Sequence, residues 1–285
     1  MHTVPETNDM TATRTLDDLK SLLSPSARMP LVFLGHGSPM NAIEDTAYSR
    51  AWRDLGASLP RPKAILVVSA HWMTKGTTLV DVSAMPRTIH DFYGFPEPLY
   101  AEQYPAPGDP GLAREVVSLL ASHHGADDDT WGLDHGAWTV LKFLYPDADV
   151  PVFQVSIDMG RGLDYQLEIG RVLSELRDRG VLILGSGNVV HNLRTINWDR
   201  AAKPFDFALE FDGLFADRLA DRDFAALADR DGLGRLLEMA HPSVDHYMPA
   251  LTIAGASDAG DDLTFMTDAI DLGSISMRSF VFHAR

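Results

Sequence analysis

The sequence predicts a single layered α/β/α domain with a central, largely parallel or mixed sheet, and three observations carry that prediction. Beyond residue 28, short β-rich runs alternate with longer segments of helical period, as in a sheet covered by helices on both faces. The first four of those runs are nearly all apolar, as strands buried on both sides must be. A chain of 285 residues, 45% hydrophobic and 22% charged, also has the composition of a globular domain with a substantial core.

The strand candidates are Pro30–Leu34, Ala64–Ser69, Val152–Ile157 and Val181–Leu184, with later runs at Leu263–Met266 and Ser274–Phe282. Between them, Thr46–Ser58 carries Tyr48, Trp52 and Leu55 on one helical face and stops before Pro60. Asp109 and Pro110 supply an N-cap and a first-turn proline for a helix that runs through Val116, Leu119 and Leu120 to Gly125. Tyr165–Arg179 turns Leu167, Val172 and Leu176 inward and ends at Gly180; stretches 205–220 and 223–240 are helical by the same spacing. Pro249 opens a further helix through Leu251 and Ile253. Residues 83–108, rich in Pro, Gly and aromatics, read as a long irregular loop, of a kind that covers active sites or packs on its own rings. Residues 1–28 are polar and acidic, with Leu16, Leu19, Leu22 and Leu23 suggesting a short helix, and read as an N-terminal extension to one domain over 29–285.

A net charge of −16 argues against partners bound by phosphate neutralisation, so neither nucleic acid nor an anionic membrane is expected. No apolar run approaches the roughly 18 residues that span a bilayer, and the amino terminus lacks the basic start and apolar stretch of a secretory signal. The expectation is a cytoplasmic enzyme or binding protein. With no cysteine there is no disulfide, thiolate metal site or cysteine nucleophile, and any transition metal must be held by His, Asp or Glu.

Three of the eleven histidines stand out by position. His36 follows PLVFLG, His71 follows AILVVSA and His191 follows VLILGSGNVV, each within a few residues of the carboxyl end of a buried strand. That edge is where open α/β sheets bind ligands. One such histidine is ordinarily a hydrogen-bonded core or loop residue; three together point to a site. His36 in GHGSPM and His71 in SAHWM are flanked by small residues that permit close approach. His246, just ahead of Pro249, falls in the first turn of a helix, whose dipole keeps the ring neutral as a ligand must be. His135, in GLDHGAW, is a further candidate on a Gly-flanked loop. Neutral imidazole suits Fe, Zn, Cu and Ni, so the residues alone leave the metal open.

Competing chemistries are poorly supported. Ser38 does not sit in a Gly-x-Ser-x-Gly elbow. Gly185–Ser186–Gly187 lacks the third glycine and the lysine of nucleotide-binding loops, and there is no HExxH. Asp127, Asp128 and Asp129 read as a solvated face.

The motifs GHGSPM, SAHW, TIHDFYGFP, YPAPGDP, WGLDHGAW, SGNVVHNLR and DHYMP, in that order from about residue 30 onward, closely resemble the 4,5-DOPA extradiol dioxygenase family. That family belongs to the class III, LigB-type ring-cleaving dioxygenases. The resemblance implies a LigB-like catalytic domain over 29–285 that opens the ring of a catechol-type, DOPA-like substrate with O2, by extradiol cleavage to a semialdehyde. It implies one divalent metal ion per chain, with Fe(II) for ring cleavage and Zn(II) as the ion found in some members. The ligands are then His36, His71 and His246. His191 is the acid/base residue or, with substrate absent, a fourth ligand, and His135 is a second catalytic histidine that contacts the substrate.

Substrate contacts are further expected from His90 and Tyr93, in an aromatic loop with Phe92, Phe95, Tyr100 and Tyr104. Arg194, three residues past His191, would pair with a substrate carboxylate or form an ordinary surface salt bridge. The wider superfamily holds its metal with two histidines and a carboxylate. Here His246 takes the last position, and the adjacent Asp245 would point about 100° away on a helix. The partners are a small aromatic substrate and O2, and the chain is a monomer or small homo-oligomer. Two alternatives remain at this point: a zinc-dependent hydrolase using the same histidines, and a non-catalytic binding protein on this fold.

Overall fold

A computed structural model describes residues 28–199 and 202–284; the short helix expected over Leu16–Leu23 lies outside the described residues. In chain order the strands are β1 (Leu31–Gly35), β2 (Ala64–Ser69), β3 (Met73–Thr74), β4 (Thr78–Asp81), β5 (Gly125–Asp128) and β6 (Val152–Gln154). They continue with β7 (Ile157–Asp158), β8 (Val181–Gly187), β9 (Asp261–Thr267), β10 (Ile270–Asp271), β11 (Ile275–Ser276) and β12 (Ser279–Ala284). Six of them form one sheet in the order β6-β2-β8-β1-β12-β9. The first four run parallel, and β12 and β9 close the sheet antiparallel. The sheet is therefore mixed.

Side chains alternate across each strand, and here both faces are covered. Leu31, Phe33, Leu66, Val68 and Ile183 pack under the helices Pro110–Leu119, Leu163–Leu173, Asp206–Ala220, Arg230–Ala240 and Met248–Ala256. Val32, Leu34, Ile65, Val67, Leu182 and Leu184 face the helices Ala47–Ser58 and His135–Leu144, meeting Trp52, Trp138, Leu141 and Leu144. No helix among the described residues is long and apolar enough to cross a membrane.

Local signals set the helix starts. Thr46 and Ser49 form a capping box ahead of Ala47–Ser58, and Asp109 accepts the Leu112 N–H at 3.0 Å. Four expected runs differ from expectation, three of them for a visible reason. The strand begun at Val152 leaves β2 after Gln154, because the Ser156 N–H turns to the Leu79 carbonyl at 2.8 Å. The run 274–282 breaks where Arg278 turns to grip the buried Asp212 at 2.5 Å. The helix expected over 223–240 is split by Asp229, which caps its second half through Gly232 N–H at 2.9 Å. The segment ending at Arg179 starts two residues early, at Leu163, and tightens to a 3-10 helix from Ser174. Within the long 83–108 loop there is one helical turn, Glu97–Tyr100.

Candidate active site

The three central strands end in register. Gly35 of β1 lies opposite Gly187 of β8, and Ser69 of β2 opposite Ser186. His36 follows β1 directly, His71 comes two residues after β2, and His191 four after β8. All three therefore emerge at one edge. His246 arrives just before the helix Met248–Ala256, ahead of its N-cap Tyr247. Its carbonyl accepts the Asn188 N–H at 2.9 Å and passes so close to Gly187 that a Cβ there would sit 2.2 Å from that oxygen.

His135 is not on a loop, as the flanking glycines suggested, but is the first residue of the helix His135–Leu144. Asp134 caps that helix through Ala137 N–H at 3.1 Å. The same carboxylate receives Ser69 Oγ–H at 2.6 Å, Gln154 Nε2–H at 3.0 Å and Trp131 Nε1–H at 3.2 Å. β2 and β6 thus fix where the helix begins. Gly136 leaves room for the neighbouring ring, since a Cβ there would lie 2.8 Å from His71 Cδ2.

Five imidazoles form one continuous cluster. The His36 ring centroid lies 5.1 Å from that of His71, 5.2 Å from His246 and 5.6 Å from His135. His71 is 3.9 Å from His135 and 4.9 Å from His246, and His191 stacks on His246 at 3.5 Å, nearly parallel. His36 Nδ1 is 2.9 Å from Ser186 Oγ, whose single proton is already donated to the Gly136 carbonyl at 2.6 Å. The Nδ1 of His36 must therefore be the donor, and its lone pair sits on Nε2. His71 Nδ1 lies 3.3 Å from Asp91 Oδ2, near enough for the carboxylate to favour a proton on Nδ1 though without the alignment of a hydrogen bond. The two Nε2 atoms are 3.2 Å apart. Two lone pairs brought face to face in a buried pocket repel unless a cation lies within reach of both, so this donor set suits a metal ion.

The nitrogens gathered within 4.8 Å of one another are those of His36, His71 and His135. His246 meets His36 and His71 ring to ring, and Asp245 Oδ2 approaches its Nδ1 at 3.3 Å. The gathered nitrogens thus include two of the expected ligands, His36 and His71, with His135 in place of His246, whose ring packs against both without its nitrogens joining that group. Burial, reinforced by the neighbouring imidazoles, holds His36 and His246 well below the usual histidine range. Burial and His135 lower His71 to about 3, and burial, outweighing Asp245, lowers His191 to about 4. These rings are neutral near pH 7, as ligands and bases must be.

The other expected substrate contacts fall at different depths. His90 Nε2 donates to the Glu102 carbonyl at 2.9 Å and its ring packs among Phe92, Tyr100 and Trp138. Phe92 is the aromatic that reaches the cluster, edge to face with His135 at 5.6 Å, and Phe95 and Tyr100 back it. Tyr104 is buried away from it, its hydroxyl donating to the Tyr145 carbonyl. Tyr93 is 92% exposed. Arg194 is exposed on a short 3-10 turn and makes no ion pair with a described residue. Sequence reasoning missed Ser186 and Asp91. The signal for Asp91 was its place in TIHDFYGFP, because ligating histidines are regularly backed by a carboxylate.

A family profile described as the catalytic LigB subunit of aromatic ring-opening dioxygenase matches residues 30–274. The chain is 45% identical over 268 residues to a protein named 4,5-DOPA dioxygenase extradiol from Escherichia coli (strain K12), an alignment covering 92% of this chain and 97% of that one. It is 35% identical over 258 residues to a protein of the same name from Beta vulgaris, covering 88% and 95%. The crystal structure of an uncharacterized protein from Escherichia coli K12 aligns with a TM-score of 0.77 at 41% identity, over 90% of this chain and 100% of that one.

Proposed function

The chain belongs to the LigB family of aromatic ring-opening dioxygenases and is an extradiol ring-cleaving enzyme; on that premise we propose that it opens a DOPA-like catechol to a semialdehyde, using one Fe(II) held by His36, His71 and His246. Membership of the family favours this over a zinc hydrolase or a non-catalytic binder. The observation that carries the ligand assignment is the pair of Nε2 atoms 3.2 Å apart, each with its Nδ1 turned to an acceptor. His246 completes the set by ring contact with both. The names of the relatives from Escherichia coli and Beta vulgaris support DOPA or a close analogue as substrate. The catalytic domain is assigned to 29–285, with 1–28 as an extension, and the reducing cytoplasm, which keeps iron as Fe(II), as its compartment.

A divalent ion held by these histidines would supply Lewis acidity toward the catechol oxygens. His191, neutral at pH 7, accepts the catechol hydroxyl proton on an imidazole nitrogen and returns it to the opened product. Its parallel stack on His246 keeps the ring beside the ligand set. His135, with Nδ1 turned toward Asp91, presents Nε2 to the substrate and stabilises charge that develops there. Phe92 walls the ring and excludes water, with His90 packed behind it. Tyr93 and Arg194 are exposed, and Arg194 would pair with the side-chain carboxylate of a DOPA-like substrate.

The test is an aerobic assay of Fe(II)-reconstituted protein against a panel of catechols that includes DOPA. One O2 should disappear per ring opened, with a yellow semialdehyde as product, and nothing should form without O2. No O2-dependent turnover of any catechol would overturn the substrate class.

A further inference from the structure

Asp91 touches neither of the reacting partners proposed above, yet it sits between two of the imidazoles. Its Oδ1 accepts the His135 backbone N–H at 2.9 Å and lies 3.0 Å from His135 Nδ1, while Oδ2 lies 3.3 Å from His71 Nδ1. We propose that Asp91 is a positioning residue that clamps His71 and His135 as a pair, one carboxylate holding both rings as Nδ1–H tautomers. The roles of the two rings, metal ligand and substrate-side imidazole, rest on the assignment made above.

A carboxylate only accepts hydrogen bonds, so any ring nitrogen facing it must carry the proton. Both Nε2 lone pairs are then directed away from Asp91. Oδ1 is already engaged by the backbone N–H, so the His135 ring approaches it obliquely rather than in line. The rings themselves lie 3.9 Å apart at 49°, close enough that one cannot turn without displacing the other.

The chain around Asp91 is pinned to the helix that carries His135. The Ile89 N–H donates to the Leu133 carbonyl at 2.7 Å, and Trp138 Nε1–H donates to the Ile89 carbonyl at 2.8 Å. His90, next in sequence, is held through the Glu102 carbonyl. Asp134, the other nearby carboxylate, is committed to Ser69, Ala137, Gln154 and Trp131 and takes no part in the clamp.

An asparagine at this position offers one acceptor and one donor. Its oxygen can keep one ring as Nδ1–H, but its amide group must face the other Nδ1, which then has to give up its proton to Nε2. If that ring is His71, an N–H replaces a lone pair 3.2 Å from His36 Nε2 and the ligand is lost.

The experiment uses the full-length chain loaded with Zn(II), a diamagnetic probe, and 15N-labelled histidine. Long-range 1H–15N correlations read the tautomer of each ring, with His71 and His135 assigned by His71→Gln and His135→Gln. The wild type should show Nδ1–H at both, and Asp91→Asn should convert at least one to Nε2–H. In chelator competition the same variant should bind Zn(II) about 10–100-fold more weakly, the usual loss when the partner of a ligating histidine is removed.

Nε2–H at either ring in the wild type overturns the clamp. So do unchanged tautomers together with Zn(II) affinity within about twofold in Asp91→Asn. If that variant does not fold, the wild-type spectrum decides alone. If His71→Gln binds Zn(II) as tightly as the wild type, the ligand assignment fails instead, and the tautomers still judge Asp91.

Discussion

The histidines divide into two halves that are held in different ways. His36 and His71 follow the central strands by one and two residues, and each has its Nδ1 against a partner outside the cluster, Ser186 and Asp91. His191 and His246 hang from longer connections and are held largely by each other, stacked at 3.5 Å. His191 makes no side-chain hydrogen bond to a described residue, and Asp245 approaches His246 Nδ1 at 3.3 Å, the same separation as Asp91 from His71 Nδ1 and likewise without hydrogen-bond alignment, but from the neighbouring residue of the chain. A ring whose proton is assigned by its partner offers a fixed lone pair, which is what binding an ion requires. The uncommitted nitrogens of His191 can take up a proton and pass it on, which is what acid/base work requires, whereas His246 joins the proposed ligand set through its ring contacts with His36 and His71.

The largest test of this contrast is His71→Ala. It should leave the purified protein without metal and without ring-opening activity, and metal analysis showing full occupancy would remove His71 from the holding half. His191→Ala should keep the fold and the metal but slow ring opening by about 10²–10⁴-fold. An O2-electrode rate equal to wild type would erase the distinction between the halves.

Ser186→Ala is a finer probe. It frees the His36 tautomer and takes a donor from the Gly136 carbonyl, so metal affinity should fall about 10–100-fold while turnover at saturating metal changes less. The reverse pattern, intact affinity with slow turnover, would move Ser186 to the proton-handling side.

The smallest expected effect is on stability against pH. A free imidazole takes up a proton near pH 6.5, whereas His191 and the core His241 wait until about 4 in the folded chain, both because of burial. Between those values the unfolded chain binds more protons, so lowering the pH through that window favours unfolding. The melting temperature of the metal-free protein should decline steadily from pH 6.5 toward 4. A flat profile there would mean that these rings are not held neutral by burial.

The first half of the site was legible in the sequence, and so was most of the fold, for the same reason. Continuous apolar runs such as Ala64–Ser69 mark strands covered on both faces, and the residue just past such a run is fixed in space by the strand itself. The helix His135–Leu144 escaped notice although Ala137, Trp138, Leu141 and Leu144 carry a helical spacing, because Gly132 and Gly136 suggested a loop. Gly136 is there to clear His71. Asp91 reaches His71 and His135, 20 and 44 positions away, and Ser186 reaches His36 and Gly136, 150 and 50 positions away, and such contacts leave no periodicity to read. The break in 274–282 is equally silent in sequence, since it depends on an ion pair with Asp212, 66 residues away.

The antiparallel closure of the sheet has a consequence for how the protein is made. The N–H of Gly35, immediately before His36, donates to Ser279 Oγ at 3.1 Å, and β12 lies alongside β1. During synthesis the strand that steadies the first imidazole emerges long after it, with Ser279 244 positions beyond Gly35. Capture of the ion therefore waits for β12, and deleting that strand should cost the cation even though every ligand survives the cut.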